Sequence, residues 1–328
     1  MTSTTFSTAL TDNLLKPLNL TSTFYTLPST SASSIIPVNA TASWYNANTR
    51  DETPAGGFYS STNDLRAIGK SIISSTLLSP AQTRRWLKPQ SFTTDPTVAV
   101  GAPWEILRAP GLNRTSYMYT KSGNLGSYAA EVAYLLDYDV GFTVLAAGLK
   151  SSVNVRIISD ILAAVFVPAL EVAAKEEAQC MYAGTYTSSG AVNSSMTVEV
   201  DSGPGLAITS WVQNGTDAFP LIGTILGAKP AQLEQLAQAG GKVSARLYPT
   251  GLKSRDGTLM GWRAVYELLP RPADPGAFGV NCYSWAMVEP VIYGAVGVDE
   301  FLFSLCPGGQ GAVSVEPRVL RTKLERER

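Results

Sequence analysis

The ten residues Tyr119-Thr120-Lys121-Ser122-Gly123-Asn124-Leu125-Gly126-Ser127-Tyr128 hold the densest set of chemically useful side chains in this sequence. Alone, Lys121-Ser122-Gly123 is a polar strand end running into a glycine turn. There is no histidine anywhere. That removes Ser-His-Asp triads, Cys-His pairs and His-based zinc sites. Acid–base work must therefore fall to Lys, Tyr, Asp, Glu or Cys. The three cysteines, Cys180, Cys282 and Cys306, have no metal-motif spacing, so no metal and no cofactor are expected. Cys282 and Cys306 are a possible pair in an oxidising compartment, which leaves one thiol over.

The elements that must position these residues follow from composition and pattern. At 328 residues, with 45% apolar and 16% charged residues, the chain has material for two domains with proper cores. The net charge of −1 argues against nucleic acid as a partner. The basic residues between Arg318 and Arg328 are mixed with Glu316, Glu325 and Glu327, which reads as a solvated terminal helix or tail. The apolar stretch Ile157–Ala174 is interrupted by Asp160, Pro168 and Glu171. It is expected to pack on a sheet rather than to span a membrane, with Pro168 kinking it or opening a second helix.

Phe6, Leu10 and Leu14 are spaced as a helix that Pro17 ends. Residues 22–56 are irregular and rich in Ser, Thr, Pro and Asn. Ser60 or Ser61 can cap a helix to about Ser74, and another starts at Ser79-Pro80. The period then changes to two, predicting strands at 117–120, 127–135 and 140–147 and a helical stretch at 152–174. From Cys180 onward the pattern is mostly strand, at 183–188, 195–200, 206–212, 243–248, 259–268, 284–288 and 313–315, with one helix at 229–239. The fold class expected is α+β: helices on an antiparallel sheet in residues 1–177, then a small β-rich barrel-like or sandwich domain in 178–328. The boundary is placed in the charged run Lys175–Gln179.

Three segments in this order carry a family resemblance. They are Pro17-Leu18-Asn19-Leu20-Thr21-Ser22-Thr23, Pro54-Ala55-Gly56-Gly57-Phe58-Tyr59-Ser60-Ser61-Thr62-Asn63-Asp64-Leu65, and the Lys121-Ser122-Gly123 strand. Together they resemble the serine β-lactamase and penicillin-binding-protein superfamily of class C type. The chain looks most like the fungal β-lactamase-like hydrolases with a β-rich C-terminal domain. The second segment matches that pattern in full. The first has Asn19 where the family has Gly and Leu20 where it has Met.

The resemblance implies an acyl-transfer site. In such enzymes the serine of a Ser-x-x-Lys helix attacks a carbonyl, and that Lys and the Tyr of Tyr-x-Asn manage its proton. By the resemblance Lys121 is the cation of the third element, Ser122 a hydrogen-bonding side chain and Gly123 the gap that admits substrate. Tyr119, Asn124 and Tyr128 are candidate groove residues, although aromatics on half-buried strands more often pack. The first two elements are absent: no serine has a lysine three residues on, and no tyrosine an asparagine two residues on. Thr250-Gly251-Leu252-Lys253 has the spacing but follows Pro249 among strands. Ser152-Val153-Asn154 reads as a helix cap. Asp64 reads as a first-turn helix residue.

Two functions are thus expected to compete. One is a β-lactamase-like hydrolase or acyl-transferase acting on a small-molecule ester, lactone or amide, of the kind met in secondary metabolism. The other is an inactive, truncated homologue that binds a ligand or partner. Loss of the N-terminal elements would leave apolar faces uncovered and favour self-association. Met1-Thr-Ser-Thr-Thr-Phe has no signal-peptide character, giving a cytoplasmic default. The five sequons at Asn19, Asn39, Asn113, Asn193 and Asn214 point instead to a secreted lineage.

Overall fold

The computed structural model describes residues 4–327 apart from 32, 190–192, 272, 274–290, 307, 309 and 310. The described chain forms two compact units, Met1–Glu171 and Val172–Arg328. The expected boundary run Lys175–Gln179 lies inside a helix, because Lys, Glu, Ala and Gln are all good helix formers.

The first unit opens with α1 (Phe6–Leu10), which continues as a wider turn to Leu15. After the irregular segment come α2 (Thr53–Gly56), α3 (Thr62–Ile73) and α4 (Pro80–Trp86). Ser61 caps α3 by accepting from the Asp64 amide, and Ser79 and Gln82 close a capping box on α4. Six antiparallel strands follow in sequence order: β1 (Ser91–Phe92), β2 (Val98–Val100), β3 (Glu105–Arg108), β4 (Tyr117–Leu125), β5 (Tyr128–Leu135) and β6 (Val140–Ala147). Then α5 runs unbroken from Ser151 to Tyr182 with Pro168 inside it, so Pro168 opens no second helix.

Strand alternation sorts the core into two layers. On one face Ile106 and Tyr134 pack with Trp104, Leu87 and Ala99, backed by Ile72 and Ile73 of α3. On the other, Met118 and Leu135 meet Ala163 and Val167 of α5, and Ala129 and Val144 meet Val155. Helices therefore cover both faces of the sheet. Tyr134 fits because a Cβ at Gly69 or at Gly141 would come within 2.6 Å of its ring.

Among the described residues α5 is the one helix long and apolar enough to cross a membrane, a length and composition that core helices packed on a sheet can share. Its inner face belongs to the sheet, and Glu171 is tied to Arg114 at 3.1 Å and to the Tyr138 hydroxyl at 2.7 Å. Its outer face leaves Val153, Ile157, Ile161 and Val165 exposed, four residues apart on one stripe.

The second unit is a barrel. Its strands are β7 (Gly184–Thr187), β8 (Ser195–Glu199), β9 (Leu206–Gln213), β10 (Thr216–Asp217), β11 (Lys242–Lys253) and β12 (Leu259–Leu269). A hairpin of β13 (Ile292–Tyr293) and β14 (Val296–Gly297) precedes β15 (Glu300–Leu305), β16 (Ala312–Pro317) and β17 (Leu324–Arg326). The order β9-β11-β12-β15-β16-β17-β7-β8 closes through a β8–β9 pairing, which removes free edges. Two helices, α6 (Phe219–Ile225) and α7 (Pro230–Gln238), fall between β10 and β11. Tyr186, Met196, Leu247, Tyr266, Phe303, Val315 and Leu324 fill the interior.

One expectation changes here. The C-terminal tail is a barrel strand: Leu324 is fully buried, β17 pairs with β16 and β7, and the Arg326 guanidinium caps the Ala183 carbonyl. Its alternating charges hid a single inward leucine. Residues 250–253 lie in β11, so the Thr-x-x-Lys spacing there is not helical. The expected strand 284–288 and the Cys282 pairing fall outside the described residues.

Candidate active site

The site is built where β3 stops. Its pairing with β4 ends at Glu105↔Thr120, so the β4 residues Lys121–Leu125 are partnered only by β5. One backbone edge of the candidate motif is therefore left open, the arrangement that lets an extended ligand add to a sheet. The Thr120 hydroxyl donates to the Glu105 carbonyl at 2.8 Å and anchors the last rung.

At this open corner the structure brings Lys121 and Ser122 onto one carboxylate. Lys121 Nζ lies 2.5 Å from Glu105 Oε1 and also donates to the Ser122 carbonyl at 3.1 Å. Ser122 Oγ donates to Glu105 Oε2 at 3.1 Å, with Oε1 at 3.3 Å. The Lys121 and Glu105 side chains are 42% and 41% exposed, so the pair contributes about 0–1 kcal/mol to stability. Its interest is geometric: both donors of the motif already have an acceptor.

Glu131, on β5, is the direct cross-strand partner of Ser122. Burial pushes its carboxyl up to about 7, helped by repulsion from Glu105 and Asp160 and opposed by Lys121. Neither Glu105 nor Glu131 is among the residues singled out from the sequence. The available signal was a carboxylate set in the apolar run Tyr128-Ala129-Ala130-Glu131-Val132-Ala133.

The other candidates divide. A Cβ built on Gly123 would meet nothing within 4 Å, so no packing in the chain demands glycine there. Asn124 is exposed beside it. Tyr119 turns into the apolar layer, its ring 6.5 Å from that of Trp104 in an edge-on contact. The Tyr128 hydroxyl donates to the Ile35 carbonyl at 3.0 Å and pins the irregular segment onto the hairpin. The same segment is held by the Ser127 amide donating to the Ser43 carbonyl at 3.1 Å. Gly126 has φ +56, and a Cβ there would lie 2.5 Å from Trp44 Cβ, so the turn needs glycine. Beyond Leu125 this segment frames an open cleft of about 500 Å³ lined by Trp44, Asn48, Arg50 and Asp51.

Asp64 is a buried clamp. It accepts from the Ser22 amide at 2.8 Å and the Thr23 hydroxyl at 2.7 Å, fixing the first family segment to the second. Ser152 and Asn154 sit in the first turn of α5. Among the described residues no group of three or more His, Cys, Asp or Glu side chains could hold a metal.

Comparisons with known proteins agree with this architecture. Residues 1–165 match the β-lactamase family, and residues 174–328 match the family described as "Beta-lactamase-like-like, C-terminal domain". A "Beta-lactamase-like protein" of Arthroderma benhamiae is 30% identical over 97% of this chain and 56% of its own length. "Probable hydrolase clz13" of Cochliobolus lunatus is 26% identical over 88% of this chain and 46% of its own length. The chain thus spans about half the length of the curated relatives it matches. A class C β-lactamase from Rhodobacter sphaeroides aligns at 16% identity and a TM-score of 0.35, covering 49% of this chain and 55% of its own. With half of its length matched by the family model, the chain belongs to the β-lactamase family, and its residues 174–328 belong to the family of β-lactamase-like C-terminal domains.

Proposed function

We propose that residues 1–177 hold the ligand-lining part of a β-lactamase-like hydrolase or acyl-transferase site for a small-molecule ester, lactone or amide. Compounds of that kind are met in secondary metabolism. The observation that carries this reading is Lys121-Ser122-Gly123 on the open edge of β4. In it Lys121 supplies the local positive charge, Ser122 a hydrogen bond, and Gly123 room for a ligand against the strand. Tyr128 and Asn124 border the groove, and Tyr119 packs beneath the same strand in the apolar layer.

No Ser-x-x-Lys or Tyr-x-Asn occurs in these 328 residues. That absence favours a second reading, in which the chain by itself binds ligand without turning it over. The two are separated by assaying hydrolysis of nitrocefin and p-nitrophenyl esters by the chain and by Lys121→Ala. The first reading predicts that any turnover falls at least tenfold in the variant; unchanged turnover at unchanged stability would sink it. Complete inactivity with retained ligand binding would favour the second.

Residues 178–328 are proposed to fold independently of 1–177, which limited proteolysis would reveal. The first domain is proposed to self-associate with a second copy of the chain. Support comes from the outer edge of β6, which pairs with β5 alone, and from the exposed stripe Val153, Ile157, Ile161 and Val165. A monodisperse monomer by light scattering would contradict self-association, and a fragment 178–328 that proteolysis degrades as readily as an unfolded chain would contradict independent folding.

A further inference from the structure

We infer that Glu105 is a built-in occupant of the motif's two side-chain donors, Lys121 and Ser122, so that this site takes uncharged carbonyl compounds and discriminates against substrates bearing a free carboxylate beside the reacting group. The inference rests on the reading that the Lys121–Gly123 edge lines the ligand site.

A lysine ammonium and a serine hydroxyl converging on one point form a natural carboxylate receptor, since both donate and one carries the compensating charge. Here the receptor is filled from within. One carboxylate takes both donors, Lys121 Nζ at 2.5 Å on Oε1 and Ser122 Oγ at 3.1 Å on Oε2. Glu105 is held for this task by the fold. It is the last β3 residue paired to β4, and its carbonyl accepts from Thr120, which precedes the motif.

An incoming carboxylate must displace Glu105 or share a single ammonium with it. Displacement exposes an unpaired Glu105 at the same corner. Sharing sets two like charges within a few ångströms. A third carboxyl group, Glu131, is the β5 partner of Ser122. An ester, lactone or amide carbonyl meets none of these penalties. Backbone donors along the open β4 edge and the space over Gly123, where a side-chain carbon added to the glycine would meet no atom within 4 Å, stay available to it beside the Lys121 charge.

The test is a binding titration of the chain, followed by backbone amide NMR shifts, with N-acetyl-alanine and its methyl ester as a matched anionic and neutral pair. The ester is expected to shift the amides of residues 121–125 at least tenfold more tightly than the acid. Glu105→Gln, which keeps the shape and removes the charge, is expected to raise affinity for the acid at least tenfold and leave the ester within about threefold. Glu105→Asp keeps the charge and is expected to keep the wild-type preference. Equal or tighter binding of the acid by the wild type, or no gain for the acid in Glu105→Gln, would overturn the inference while leaving the site reading intact. Shifts that map away from β4, or no shifts with either ligand in any form, would overturn both.

Discussion

Replacing Glu131 with glutamine is expected to make the first unit more stable at neutral and alkaline pH and to change little at pH 4.5. Burial, with Glu105 and Asp160 nearby, raises this carboxyl from 4.5 to about 7. A carboxyl whose pKa is higher in the folded than in the unfolded chain binds more protons when folded. Its penalty is absent below about 4.5 and grows as pH rises through about 7. At 1.36 kcal/mol per tenfold, such a shift amounts to about 3 kcal/mol. Glu131 is only half-buried, and solvent screening reduces this to about 1–2 kcal/mol. The glutamine carries no charge, so the variant should gain that amount over wild type between pH 4.5 and 8. Hydrogen exchange of the β4 and β5 amides in urea is the suitable assay, because two compact units make a single global transition ambiguous. Two further substitutions check the cause. Glu105→Gln should lower the Glu131 pKa by removing a repulsion, and Lys121→Met should raise it by removing an attraction. A stability difference between Glu131→Gln and wild type that stays constant across this pH range would refute the reasoning.

Arg114 joins Asp137 at 2.6 Å, Glu171 at 3.1 Å and the Tyr138 hydroxyl at 2.9 Å. Arg114→Ala leaves Glu171 half-buried without its cation and should destabilise the first unit by about 2–4 kcal/mol, read by the same exchange experiment. Leu324 is fully buried on the closing side of the barrel. Leu324→Ala should cost the second unit about 2–5 kcal/mol and speed exchange in β16 and β7, leaving β4 unaffected. Gly123→Ala should leave stability within about 0.5 kcal/mol, since its Cβ enters open space, while weakening ester binding at least threefold in the titration above.

Legibility followed the strength of periodic signals. The strands at 128–135 and 140–147 are long, mostly apolar runs separated by the turn Asp137-Tyr138-Asp139, and Ser61 and Ser79 announce helix starts, so these elements were readable. Strands β1, β2 and β3 have two to four residues each and no alternation long enough to count. Missing β3 meant missing Glu105, whose role depends on a cross-strand neighbour 16 residues away. The family motif gave Lys121 and Ser122 by type, but not that one carboxylate occupies both. Strand β17 was hidden because a barrel needs only one inward residue from a short closing strand, and Leu324 is the only apolar residue in Leu324–Arg326.

The central proposal is that the β4 edge lines a ligand site in a chain in which no Ser-x-x-Lys occurs. Intact-protein mass spectrometry after incubation with a fluorophosphonate and, separately, with a penicillin tests this most directly. No stable adduct on any serine is the result expected, at probe concentrations that fully label a control serine hydrolase. A stoichiometric adduct mapped to a serine beside Lys121, lost in Lys121→Ala, would contradict it and show that the chain carries a complete acylating site of its own.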